Sequence, residues 1–336
     1  MEAIYFDAPG RLSRRELVPP TLSRPSAALV RPLAVATCDL DTAMLRGVIP
    51  HPPAPFAFGH EAVAEIVATG GAVQHFQPGQ QVVIPFQISC GNCRRCLSGR
   101  TGRCTSQPGL PMYGLGALGG DHPGMLADLV EVPHADTMLI EVPTTTPLPA
   151  LASLSDNIPD AWRTVAPHLQ AAHGASVLIV GGGAISIGLY AVAIAHSLGA
   201  STIHYLDHDD TRHEQARQVG ATPLAWDDRP PRSDITVDAS GTIDGLHRAI
   251  ARTELDGVCT SVSPFFEPVE LPLLEMYTNG VHLITGRPHV RNLLPEIVGA
   301  IDRGTFDPSA VPATQVPWDD AIDALADPPD KLVLVR

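Results

Sequence analysis

The segment from Cys90 to Cys104 reads CGNCRRCLSGRTGRC and places cysteines at 90, 93, 96 and 104. Four thiolates at this spacing can wrap one zinc tetrahedrally from a single loop. Two-residue gaps suit a metal clamp better than disulfides, which strain across such short loops. Arg94, Arg95, Arg100 and Arg103 lie among the thiols and offset the negative charge of a four-thiolate centre. A disulfide pair would belong to an exported chain, and the opening MEAIYFDAPGRLSRREL lacks the charged-then-apolar layout of a signal peptide. The expectation is a cytoplasmic protein. Nothing in the spacing leaves a coordination position open, so the expected zinc is structural rather than catalytic.

Two smaller spots carry the same kinds of side chain. Cys38 ends the apolar run that begins at Ala34, and Phe58-Gly59-His60-Glu61 leads into a strand over 62–67. Taken alone, Cys38 reads as a buried small apolar residue and His60 as a hydrogen-bonded core histidine. Asp156 follows the small apolar run Leu151 to Ser155, and from spacing it reads as the cap of a helix beginning near Pro159.

A different chemistry is written between Ser176 and Asp207. The apolar run 176–180 has the pattern of a strand buried on both faces. Gly181, Gly182 and Gly183 follow, and glycine lets a backbone turn tightly and approach a ligand. Apolar residues at helical spacing resume from Ala184 and Ile185 to Ser197, with Gly199 as C-cap, and a second strand over 202–206 ends at Asp207. Strand, glycine turn, helix and strand ending in a carboxylate is the order of a dinucleotide-binding unit. The helix N-terminus offers N–H groups and a positive dipole end to a pyrophosphate. A carboxylate about 20 residues on accepts from the adenosine ribose hydroxyls. The third glycine position holds Ser186, with Gly188 two residues later. An ordinary strand-to-helix turn is the alternative. Asp207, His208, Asp209 and Asp210 are mostly acidic and would repel a 2′-phosphate, so NAD(H) is expected over NADP(H).

The remaining chain supports these centres. Residues 1–75 alternate short apolar runs with Pro- and Gly-rich turns, as do residues 113–142 with glycines at 114, 116, 119, 120 and 124, and both read as short strands. After Asp207 a helix is expected over 212–219, strands over 234–241, 257–263 and 281–286, helices over 293–303 and 319–326, and a closing strand over 331–335. Strands alternating with helices indicate a parallel sheet covered on both sides. At 336 residues, 44% hydrophobic and 17% charged, the chain has room for two soluble domains. Its net charge of −14 argues against nucleic acid or an anionic membrane as partner, and no stretch reads as a membrane span.

Gly59-His60-Glu61, the four-cysteine loop and the glycine-turn unit, in that order, resemble the zinc-containing medium-chain dehydrogenase/reductase family, the alcohol dehydrogenase group. The likeness runs nearly end to end. It implies an α/β protein with a GroES-like, β-rich catalytic domain over 1–155 and 288–336, carrying the structural zinc lobe at 90–104. A Rossmann domain with a doubly wound parallel sheet, expected over 156–287, binds NAD through Gly181, Gly183, Ala184, Ile185, Asp207 and His208. The resemblance maps a catalytic zinc, in the cleft between the domains, onto Cys38, His60 and Asp156, giving two zinc ions per chain. Aspartate at the third ligand position looks like the formaldehyde dismutase and formaldehyde dehydrogenase branch. Glu61 matches a family carboxylate close to the zinc, and Asp41 matches the aspartate that orients the ligating histidine. The implied reaction passes a hydride between nicotinamide and a small-molecule alcohol, aldehyde or ketone. The implied assembly is a homodimer or homotetramer, joined through the strand over 281–286.

Two positions depart from the family pattern. Leu40 stands where Ser or Thr usually takes the alcohol proton, and Ala43 stands where a His often continues the relay. Protons would then leave through water or another group, Thr42 being a candidate, or the substrate is not a simple alcohol. Asp160, where relatives commonly have Thr near the nicotinamide, is a lesser departure. A reductase of a conjugated C=C or an iminium, or a catalytically idle nucleotide-binding sensor or scaffold, are the alternatives.

Overall fold

The computed structural model describes all 336 residues, which separate into two compact units. The first gathers Met1–Pro159, Pro288–Asp302 and Ala313–Arg336, and the second gathers Asp160–Arg287 and Arg303–Pro312. Arg303–Pro312 lies in the tail expected to belong wholly to the first domain. It groups with the second because Phe306 packs edge-on to Trp162, ring centroids 5.9 Å apart, both buried.

The first unit is built on a sheet in the order Thr314–Pro317, Leu332–Val335, Ala28–Ala36, Glu61–Thr69, Gln81–Ile84, Ile140–Glu141, with Val130–Val132 also paired to Ala28–Ala36. Its central strands are rich in Val and Ala and largely buried. Register does the positioning. Ala36 pairs with Glu61 on one side and with Val333 on the other. The ends of three strands remote in sequence are therefore neighbours, and Cys38, His60 and Lys331 follow from them. A second sheet, Arg11–Glu16, Glu2–Ala8 and Phe56–Ala57, is antiparallel.

Residues 113–142 hold less strand than expected: only Val130–Val132 and Ile140–Glu141, with a 3-10 turn at Gly116–Gly119 and a helix at Ala135–Met138. The glycines serve close packing instead. A Cβ on Gly114 (φ +69°) would sit 2.1 Å from the Gly59 carbonyl oxygen, and one on Gly124 would sit 2.1 Å from that of Phe58. This loop presses onto the two residues before His60, and Met125 N–H donates to Gly59 O at 2.8 Å.

The second unit contains six parallel strands in the order Thr222–Ala225, Ile203–Asp207, Val177–Val180, Ser233–Asp238, Thr253–Ser261, His282–Thr285. Numbered along the chain this is 3-2-1-4-5-6, the doubly wound arrangement. Val177–Val180 is buried throughout, as a central parallel strand should be. Leu178, Val180, Leu206, Leu246, Ile250 and Cys259 form one apolar cluster. Thr222–Ala225 escapes sequence reading because it is short and contains Pro223, which an edge strand tolerates.

Gly114→Ala is expected to destabilise the fold by more than about 1 kcal/mol, since the added methyl meets backbone at a positive φ. A lowered urea midpoint with an unchanged slope checks this. An unchanged midpoint would show that the loop is free to move away from Gly59.

Candidate functional site

Cys38 becomes the N-cap of the helix Asp39–Leu45. Its sulfur accepts from the Asp41 N–H at 3.4 Å, and Asp41 Oδ2 accepts from the Cys38 N–H at 3.2 Å. This reciprocal cap fixes thiol and carboxylate together. The other Asp41 oxygen lies 3.4 Å from His60 Nδ1, near enough for attraction but off the line of a hydrogen bond. On the opposite side of the ring, His60 Nε2 lies 3.3 Å from Asp156 Oδ2. One imidazole is thus held between two carboxylates. The ligating atoms of Cys38, Asp41 and His60 fall within 4.8 Å of one another, and Asp156 joins them through Nε2. Asp156 does not cap a helix side-on: it ends a 3-10 turn at φ −154°, ψ −73°, and the helix Asn157–Ala171 starts immediately after it.

Burial and the neighbouring carboxylates set the electrostatics of this cluster. Burial, and then the Asp41 carboxylate, push the Cys38 thiol up to about 12. Burial works against a His60 cation, yet Asp41, Cys38 and Asp156 together raise it well above the usual imidazole value. Thiol, imidazole and carboxylate around one buried point form a donor set that suits zinc. A ligating histidine gives its second nitrogen to a carboxylate, and Asp41 stands on that side.

Glu61, beside His60, is wholly buried. Its Oε1 accepts from the Asn157 N–H at 2.9 Å, and its Oε2 from Ser153 Oγ and Lys331 Nζ, both at 2.8 Å. Burial pushes its carboxyl up to about 7, while the Lys331 ammonium pulls the other way. Both oxygens are engaged with protein groups in this arrangement. Ser153, Asn157 and Lys331 escaped sequence reading. The one signal was a lysine opening the apolar strand Leu332–Val335.

The four thiols at 90, 93, 96 and 104 also lie within 4.8 Å of one another. Backbone N–H groups of Cys93 and Cys96 point at the sulfurs of Cys90 and Cys93, at 3.4 and 3.5 Å. The Thr105 hydroxyl and the Cys96 N–H bring Cys93 down to about 5, while burial drives Cys96 up to about 12. All six cysteines of the chain are free thiols. The lobe fits a tetrahedral zinc.

In the second unit Gly181, Gly182 and Gly183 turn from Val177–Val180 into the helix Ile185–Ser197, whose N-cap Ala184 supplies no side-chain bond. Gly182 has φ +144°, and a Cβ on Gly181 would strike Asp207 and Tyr205 at 2.4 Å. The Gly183 and Ala184 N–H groups donate to Ser240 O and Ala239 O, so these two amides close the turn onto the next strand. Asp207 is buried, with Oδ2 accepting from Tyr205 Oη at 3.0 Å and Oδ1 from the His208 N–H at 2.7 Å. Arg212 reaches within 3.6 Å of Asp207 and donates to Gly182 O. His208 stacks on Trp226, ring centroids 4.1 Å apart. Neither Arg212 nor Trp226 was singled out from sequence, because nothing in their spacing marks them.

Comparison with known proteins bears on what this arrangement does. Residues 24–144 match the alcohol dehydrogenase GroES-like domain. The probable zinc-binding alcohol dehydrogenase Rv1895 of Mycobacterium tuberculosis is 28% identical over 97% of this chain and 85% of its own length. The chain belongs to the zinc-containing medium-chain dehydrogenase/reductase family. The solved structure of alcohol dehydrogenase TADH from Thermus sp. ATN1 superposes over 100% of this chain and 99% of its own, with a TM-score of 0.90 at 26% identity. A glutathione-independent formaldehyde dehydrogenase of Pseudomonas aeruginosa is 30% identical over 65% of this chain, which spans 56% of that relative's length. Members of this family are oxidoreductases, and the GroES-like and Rossmann parts are those described above. No helix is long and apolar enough to cross a membrane.

The two clusters are expected to bind zinc independently of each other. Cys104→Ser and Cys38→Ser are each expected to lower the zinc content from about two ions per chain to about one. Elemental analysis of the purified variants checks this, and a full complement in Cys38→Ser would contradict it.

Proposed function

We propose that this chain is a zinc- and NAD(H)-dependent dehydrogenase that interconverts an alcohol and its aldehyde or ketone, with Cys38, His60 and Asp156 holding the catalytic metal. The observation that carries this reading is the His60 ring held between Asp41 at Nδ1 and Asp156 at Nε2, beside a buried thiol. Zinc in such a place supplies a Lewis acid for the substrate oxygen. Asp41 then orients the imidazole, and Asp156 with Cys38 balances the charge. The aspartate at 156 gives the ligand pattern of the formaldehyde-oxidising branch. Free thiols in the four-cysteine lobe are compatible with a reducing compartment such as the cytoplasm.

Asp207 at the end of its strand supports NAD(H), and the glycine turn leading into the helix Ile185–Ser197 supports a pyrophosphate. Arg212, close to the same carboxylate, is the one feature that pulls toward a 2′-phosphate. A panel of alcohols, aldehydes and enals assayed with both cofactors on zinc-replete protein tests the assignment. A higher kcat/KM with NAD(H) and turnover of alcohols or aldehydes is expected. A preference for NADP(H) would reassign the pocket to Arg212.

Leu40 and Ala43 favour a second reading, the reductase of a conjugated C=C or an iminium, for which no alcohol proton need be relayed. Within the same helix Thr42 is buried, and its hydroxyl has no hydrogen-bond partner, so it is the chain's own candidate for a proton carrier. Leu40→Ser should raise alcohol oxidation about tenfold or more and shift the low-pH limb of its rate profile. An unchanged rate would mean that protons already leave by another path.

The parallel sheet ends in the strand His282–Thr285, largely exposed, and the helix Leu273–Asn279 before it exposes Leu273, Leu274 and Tyr277. An open edge and exposed apolar side chains suit pairing with a second copy of the chain. Tyr277→Asp combined with Leu274→Asp is expected to turn a dimer into a monomer in light scattering. A wild-type chain that is already monomeric would contradict the pairing.

A further inference from the structure

We propose that Lys331 is a positioning residue that ties the three metal-ligand segments into one centre. The proposal rests on the reading that Cys38, His60 and Asp156 share a metal. Lys331 is buried at the head of the closing strand. Its Nζ donates to the Thr37 carbonyl at 2.7 Å and to Glu61 Oε2 at 2.8 Å. With the Asn157 amide turned so that both its ends are satisfied, its nitrogen donates to Glu61 Oε1 at 3.0 Å and its oxygen accepts from Lys331 at 3.2 Å.

Each of these partners adjoins a ligand. Thr37 precedes Cys38, Glu61 follows His60, and Asn157 follows Asp156. An ammonium has three N–H donors, and here three oxygens from three separate segments lie within its reach. The metal ligands themselves are 22 and 96 residues apart along the chain, taking 60 − 38 and 156 − 60. Glu61 and Asn157 also hold each other directly, through the Asn157 N–H. Thr37 is different: the Lys331 bond to its carbonyl links the turn before Cys38 to the Glu61 carboxylate. Its bonds to Thr37, Glu61 and Asn157 go to residues adjoining the ligands, and through them Lys331 fixes the segments on which the ligands stand.

The test is zinc release from the full-length, zinc-loaded protein to a chromophoric chelator, with the two release phases assigned using Cys38→Ser and Cys104→Ser. Lys331→Met should speed the phase missing from Cys38→Ser by about 10- to 100-fold, the usual effect of losing a residue behind a metal ligand. The phase missing from Cys104→Ser should not move. Because Lys331→Met leaves Glu61 buried without its partner, Lys331→Met with Glu61→Gln removes both charges and is expected to keep the fast release. Unchanged release in that pair, or both phases quickening together, would overturn the tether. Retention of the whole zinc content by Cys38→Ser would instead overturn the metal reading, a result distinct from unchanged release.

Discussion

The first unit depends on holding like-charged ligands close together inside a protein. A thiolate and a carboxylate cannot stay ionised a few ångströms apart in a buried place unless positive charge compensates them. Burial, and then Asp41, raise the Cys38 thiol, while Asp41, Cys38 and Asp156 raise the His60 imidazole against the cost of its burial. A divalent cation at the proposed site would relieve the constraint in front. Behind them, the Lys331 ammonium neutralises Glu61. The four-cysteine lobe meets the same problem with backbone N–H groups directed at sulfur.

Geometry meets the constraint through the sheet. Glu61–Thr69, Ala28–Ala36 and Leu332–Val335 lie side by side, so their ends deliver Cys38, His60 and Lys331 to one place without long flexible connections. Asp156 arrives from another direction, at the turn before a long helix, where Ser155 bonds to both the amide and the carbonyl of Ala62. Glycines at 114 and 124 let the neighbouring loop press onto the approach to His60.

Much of this was legible in the sequence because it is local. The four cysteines lie within one loop, the glycine turn adjoins its strand and helix, and the alternation of strands and helices announced the parallel sheet. What could not be read was contact between remote segments. Lys331 and Glu61 lie 270 residues apart, and no periodicity links them. Trp226 and His208 meet only because an unexpected short strand, Thr222–Ala225, joins the sheet edge. The glycines after Tyr113 suggested hairpin turns, yet they serve close approach of backbone to backbone, which composition cannot distinguish.

The most direct measurement is anomalous diffraction at the zinc edge from crystals of the zinc-replete protein. A peak bounded by Cys38 Sγ, His60 Nε2 and an Asp156 oxygen, at about 2.0–2.3 Å from each, is the predicted result. A single peak in the four-cysteine lobe, or an ion held by Asp41 with Asp156 turned away, would contradict it.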